Sequence, residues 1–125
     1  MSFHWGEFLV LASSLREKPH SPGPQEASLR TAISRAYYAA FCSARNFARD
    51  YEGLALTNTG QDHFRVISHF QSANDSKYQK IGAALDRLRM NRGKADYGDA
   101  VDALPSVALV SVHMAERLLN DLTSL

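Results

Sequence analysis

The stretch from Gln25 to Tyr51 contains no proline or glycine, and its apolar residues recur at helical intervals. Leu29, Ile33, Ala36, Tyr37, Ala40, Ala44, Phe47 and Tyr51 follow one another at steps of mostly three and four, which predicts one long helix with a single apolar stripe. A helix of that length must bury its stripe against other elements. The remaining prolines and glycines are few and clustered, and they cut the chain into helix-sized pieces rather than strand-sized ones. The expectation is an all-α chain, a helical bundle. With 125 residues, 45% of them hydrophobic, there is apolar material for one packed core, so a single domain over residues 1–125 is expected.

Four further helices follow from the same periodicity. A first runs from about Trp5 to Arg16, and the segment KPHSPGPQ breaks it, because prolines lack a donor and restrict the residue before them. That segment is expected to be an exposed loop. Gly53 lies just past the end of the long helix. A short helix from about Gln61 to Gln71 sets His63, Val66, Ile67 and Phe70 on one side, so His63 points inward. The next begins near Asn74 or Asp75, either of which can cap it, and Tyr78, Ile81, Leu85 and Leu88 form its apolar face. The last covers roughly Asp99 to Leu122, with Pro105 moving its true start toward Asp102. Its stripe runs through Val101, Leu104, Ala108, Val112, Ala115, Leu119 and Leu122. Val107, Leu109, Val110 and Leu118 widen it, as a central helix or a subunit contact requires.

Charge and cysteine usage narrow the function. Fourteen basic residues against thirteen acidic ones give a net charge of +1, so a polyanion would have to be met by a local patch. Cys42 is the only cysteine, which excludes an internal disulfide and multi-cysteine zinc arrangements and suits a reducing compartment; the cytoplasm is the expected location. No apolar run approaches the roughly 20 residues of a membrane span. His4, His20, His69 and His113 show no ligand spacing with each other or with carboxylates, so no metal is expected, and no other cofactor is expected either. Cys42, among small and aromatic residues with no histidine partner, is expected to be buried and inert.

Two patches carry candidate chemistry. On the long helix, Thr31, Arg35, Tyr38, Cys42, Arg45 and Arg49 share a second, basic face, where guanidiniums beside an aromatic ring suit phosphate contacts and base stacking. The bland alternative for Arg45 and Arg49 is a solvated helix face. The other patch is LRMNRGKADYGD, Leu88 to Asp99. If the helix continues through it, Arg92 and Asp96 lie four residues apart on the inward side, with Arg89 on the flank. A guanidinium directed toward a core needs an anionic or strongly accepting partner, and Asp96 is the nearest. Gly93 weakens a helix interior by about 1 kcal/mol relative to alanine. Either the helix ends there or something approaches its backbone closely.

Three strings in order, SRAYYAAFCSARNFA (Ser34 to Ala48), HFRVISHF (His63 to Phe70) and LRMNRGKADYGD, resemble the HEPN domain family. The resemblance implies an antiparallel up-and-down bundle of four to five helices and frequent homodimerisation. It also implies association with RNA cleavage, with toxin–antitoxin pairs that have nucleotidyltransferase partners, and with defence systems. Active members carry an arginine followed after four to six residues by a histidine, and pair two such motifs over the RNA phosphate. Arg92 matches the arginine, but no histidine follows it: the next residues are Gly93, Lys94, Ala95, Asp96, Tyr97, Gly98 and Asp99, and counting from Arg89 gives none either.

Cleavage by the RNA's own 2′-OH needs a proton acceptor, a proton donor and positive charge near the phosphorus. Arg92, Arg89 and Lys94 can supply charge, while Asp96, Tyr97 and His63 are the candidate proton-transfer groups. Asp96 would need a raised pKa, which pairing with Arg92 opposes. His63 has a plainer alternative, a core histidine bonded to a backbone carbonyl or to a tyrosine. Arg35 and Tyr38, within the family-like string, join Arg89 and Lys94 as candidate RNA contacts. The expected function is therefore RNA-directed, a metal-independent endoribonuclease if enzymatic. The alternative is a non-catalytic dimerisation or partner-binding scaffold in which Arg92 and Asp96 form a structural pair.

Overall fold

The computed structural model describes residues 3–17 and 25–125. It is an all-α bundle of five helices, with no strand among the described residues: α1 (Glu7–Glu17), α2 (Gln25–Glu52), α3 (Gln61–Gln71), α4 (Ser76–Tyr97) and α5 (Leu104–Thr123). Apart from Gln25, which begins α2, the proline-rich segment lies outside the described residues.

Helix α2 is the axis of the bundle, packed against all four others. Its inward positions explain how. Ala32, Ala36, Ala39, Ala40, Ala44 and Ala48 are all fully buried, and side chains that short let neighbouring helices approach from several directions. Ile33 and Tyr37 are fully buried between them. The expected stripe stops at the half-buried Phe47, because Tyr51, in the last turn, is 81% exposed. Past the helix end Gly53 turns the chain at φ +69°, a left-handed conformation that glycine adopts without a Cβ clash.

Helix α4 begins where the Asp75 carboxylate accepts from the amides of Lys77 and Tyr78. It then runs unbroken through Gly93 to Tyr97, and a Cβ built on Gly93 would meet open space. Both expectations for that glycine are therefore corrected: the helix does not end there, and nothing presses on its backbone. The helix continues because its far end is held elsewhere. The Arg30 guanidinium, from α2, donates to the carbonyls of Ala95 at 3.0 Å, Gly98 at 2.6 Å and Asp99 at 3.3 Å, groups that the ending helix leaves without partners. A small apolar cluster of Leu29, Ile33, Ala95, Leu104 and Ala108 packs beneath that clamp.

Helix α5 starts at Leu104, later than expected, with Pro105 in its first turn and Ala103 in a left-handed conformation before it. Val101 consequently lies outside the helix, though it still packs against the small cluster. Val112, Ala115 and Leu118 fill the main core with Val66, Phe70, Ile81, Leu85 and Leu88. Leu109 and Val110 remain exposed.

Candidate functional site

Tyr37 and Phe41 are one helical turn apart on α2 and therefore present their rings side by side. Helix α3 lays His63 over them. The His63 and Phe41 rings are stacked 4.2 Å apart at 8°, and the imidazole is nearly parallel to Tyr37 at 5.6 Å. The Tyr37 hydroxyl and His63 Nδ1 share a hydrogen bond. Tyr37 is fully buried, and burial pushes its phenol far above the ordinary value of 10.0, so it stays protonated. Burial, followed by the positive charges of Arg92 and Arg89, holds His63 below its ordinary 6.5, so the ring is neutral at pH 7.

Helix α4 supplies the charge. The Arg92 guanidinium lies over the Tyr37 ring at 5.3 Å and the Tyr38 ring at 5.7 Å, within cation–π range. Its Nη1 is 3.8 Å from Asp96 Oδ2, a loose ion pair, and its buried Nε has no hydrogen-bond partner. Asp96 accepts weakly from Ser34 Oγ at 3.4 Å, and Ser34 accepts from Arg35 Nη2 at 3.3 Å. Arg35 in turn lies over Tyr38 at 4.9 Å and over Phe8 of α1 at 4.8 Å. Two guanidiniums thus lie within cation–π range of Tyr38.

On the α1 side of Tyr38 opens a cavity of about 670 Å³ lined by Trp5, Phe8, Tyr38 and Phe41, by Arg35, Arg45 and Arg49, and by His63. Its rim is the segment leading into α3. Asp62 Oδ1 accepts from the Thr57 amide and hydroxyl, both at 2.8 Å, and Oδ2 accepts from the Asn58 amide at 2.8 Å. These bonds, led by the Thr57 amide, hold its carboxyl below the usual carboxylate range. Cys42, on the cavity wall, is buried, and that burial raises its thiol pKa; the group is a poor nucleophile.

The structure therefore brings Arg92, Asp96, Arg35, Tyr38 and His63 into one continuous assembly. Arg89 is exposed, yet near enough for its charge to be felt at His63. Lys94 is exposed, and Tyr97, 79% exposed, is turned outward from the Tyr37–His63 pair. The basic face of α2 is divided: Trp5 and Phe8 lie over Arg45 and Arg35, whereas Arg49 is exposed and paired with Asp50, as a solvated face requires. Sequence reasoning missed Tyr37, Ser34, Phe8 and Trp5. Tyr37 carried a signal, since a tyrosine on a fully apolar stripe needs a hydrogen-bond partner. No single-helix pattern links Phe8 to α2.

Among the described residues no group of three or more histidine, cysteine or acidic side chains is placed to hold a metal ion. No helix among them is long and apolar enough to cross a membrane. In comparisons with known proteins, no family model, curated protein or solved structure matches the chain.

Proposed function

We propose that the chain is a HEPN-type helical protein that acts on RNA, with Arg92 as the phosphate-facing cation and His63 as the proton-transfer group. The observation that carries this reading is the meeting of Arg92 from α4 with the Tyr37–His63 pair from α2 and α3. The neutral imidazole can both take and return a proton. If Nδ1–H donates to the Tyr37 oxygen, Nε2 keeps a lone pair and can take the 2′-OH proton. The imidazolium so formed can then deliver that proton to the leaving oxygen. Arg92 and Arg89 place positive charge where the phosphorane-like transition state needs it. No metal is required for these steps. The same reading carries a homodimer and a nucleotidyltransferase-type partner in a toxin–antitoxin or defence setting.

A second reading, a partner-binding scaffold, is favoured by the Arg92–Asp96–Ser34 contacts and the Arg30 clamp, which tie the end of α4 to α2. One experiment separates the two: purified protein is incubated with a mixed pool of labelled RNAs in the presence of chelator, beside Arg92→Ala and His63→Gln. The catalytic reading expects wild-type cleavage that falls by about a hundredfold or more in either variant, the scale for removing one transition-state donor, with melting temperatures preserved. Absence of wild-type cleavage, with a large drop in melting temperature for Arg92→Ala, would leave the scaffold.

A further inference from the structure

A second cavity, of about 890 Å³, opens where the last turns of α2 meet the segment before α1, the start of α4 and the end of α5. Arg92, Tyr37 and His63 take no part in it, and no lysine or arginine lines it. Trp5 is the one residue that borders both cavities.

Two carboxylates line this second cavity, and their charges are met differently. Asp50 faces a full cation: Arg49 Nε donates to Oδ1 at 2.7 Å and Nη2 to Oδ2 at 3.2 Å. Glu52 has no lysine or arginine within ion-pair distance among the described residues. Its Oε2 accepts from the Tyr78 hydroxyl at 2.5 Å, and its Oε1 lies 2.8 Å from His69 Nε2, a ring charged only when protonated. The bond to Glu52 pushes the Tyr78 phenol up to about 12, so it stays a neutral donor. An ionised carboxylate offers about four lone-pair positions, and these contacts leave some of them open. Around it stand aromatic rings. Phe47 and Tyr51, one helical turn apart on α2, set their rings 5.4 Å apart on the cavity wall. Among the described residues no cation lies over Phe47, Tyr51 or Tyr78, whereas Arg35, Arg45 and Arg92 already face Phe8, Tyr38, Trp5 and Tyr37.

We propose that this cavity binds a small organic ammonium ion, its charge set against Glu52 and the rings of Phe47 and Tyr51, its apolar body against Leu119 and Leu122 of α5. Ring faces attract cations, and an ammonium N–H to a carboxylate is a charge-assisted bond. The volume is within the range of sites that enclose small molecules. A phosphate would meet carboxylates here, so the site is no extension of the Arg92 assembly. It rests neither on the HEPN reading nor on cleavage.

The full chain is titrated by calorimetry at pH 7 with 2-phenylethylammonium, with 2-phenylethanol, with 3-phenylpropionate and with methylammonium. The proposal expects saturable one-to-one binding of 2-phenylethylammonium with a Kd below about 1 mM. The alcohol, which lacks the charge, and methylammonium, which lacks the apolar body, should each bind about tenfold or more weakly, and the anion not at all. Glu52→Gln should weaken binding by about tenfold, and Tyr51→Ala by about two- to fivefold. Asp50→Asn, whose carboxylate is already matched by Arg49, should change it by less than about twofold. Helical circular dichroism should be unchanged in all three. Because the ligand series is read on the wild type, it decides the question even where Glu52→Gln loosens the contacts to His69 and Tyr78. Failure of the ammonium to saturate the folded wild type would overturn the site. So would alcohol or anion binding as tightly, or Asp50→Asn costing as much as Glu52→Gln.

Discussion

His63 is held neutral by its surroundings, and that has a measurable cost in acid. Its pKa in the fold lies below the ordinary 6.5, so as pH falls through that value the unfolded chain takes up a proton that the folded chain refuses. Stability contributed by the neutral ring is complete above about 6.5 and declines as pH drops toward the lowered folded value. Urea denaturation of wild type and His63→Gln at several pH values between 5 and 8 should show this as a slope present only in the wild type. A wild-type slope no steeper than the variant's would mean that the imidazole is not held as described. The inward direction of His63 was legible from the spacing of Val66, Ile67 and Phe70. Its partner was not, because Tyr37 lies on another helix, and periodicity within one helix says nothing about how two helices are rotated against each other.

At the scale of the element, α4 contrasts two helical glycines with opposite environments. A Cβ at Gly82 would come within 2.7 Å of the Gln71 backbone nitrogen, where α3 crosses closely, while at Gly93 it would meet nothing. Gly93→Ala should therefore stabilise the protein by up to about 1 kcal/mol through helix propensity. Gly82→Ala should destabilise it by about 1–3 kcal/mol, since backbone has to shift to admit the methyl group. Chemical denaturation of the two variants side by side checks the pair; equal effects would contradict the packing. The sequence alone read Gly93 as an end or a close approach, since a propensity scale registers only its local penalty. The clamp from Arg30, sixty-five residues away from Ala95, which holds the far end of the helix, is a tertiary effect.

At the scale of the molecule, everything depends on the alanines of α2. All four other helices pack against that helix, and both the Tyr37–His63 pair and the cavity form where α1, α3 and α4 reach it. Ala40 is fully buried among them, so Ala40→Leu should destabilise by about 1–3 kcal/mol through overpacking. A melting temperature unchanged from wild type would mean that the bundle can spread without loss. The all-α class and the approximate position of each helix were readable because local spacing encodes them. The cavity was not, because its walls are drawn from α1, α2 and the segment before α3, which meet only after folding. Half of its chemistry was already present in the sequence as the Arg35, Tyr38, Cys42, Arg45 and Arg49 face; the missing half was the aromatic wall of Trp5 and Phe8.

The carboxylate of Asp62 fastens the Thr57 and Asn58 amides through bonds internal to the chain. The ordering entropy of that segment is therefore charged to folding, and a molecule entering the cavity would not have to order its rim again.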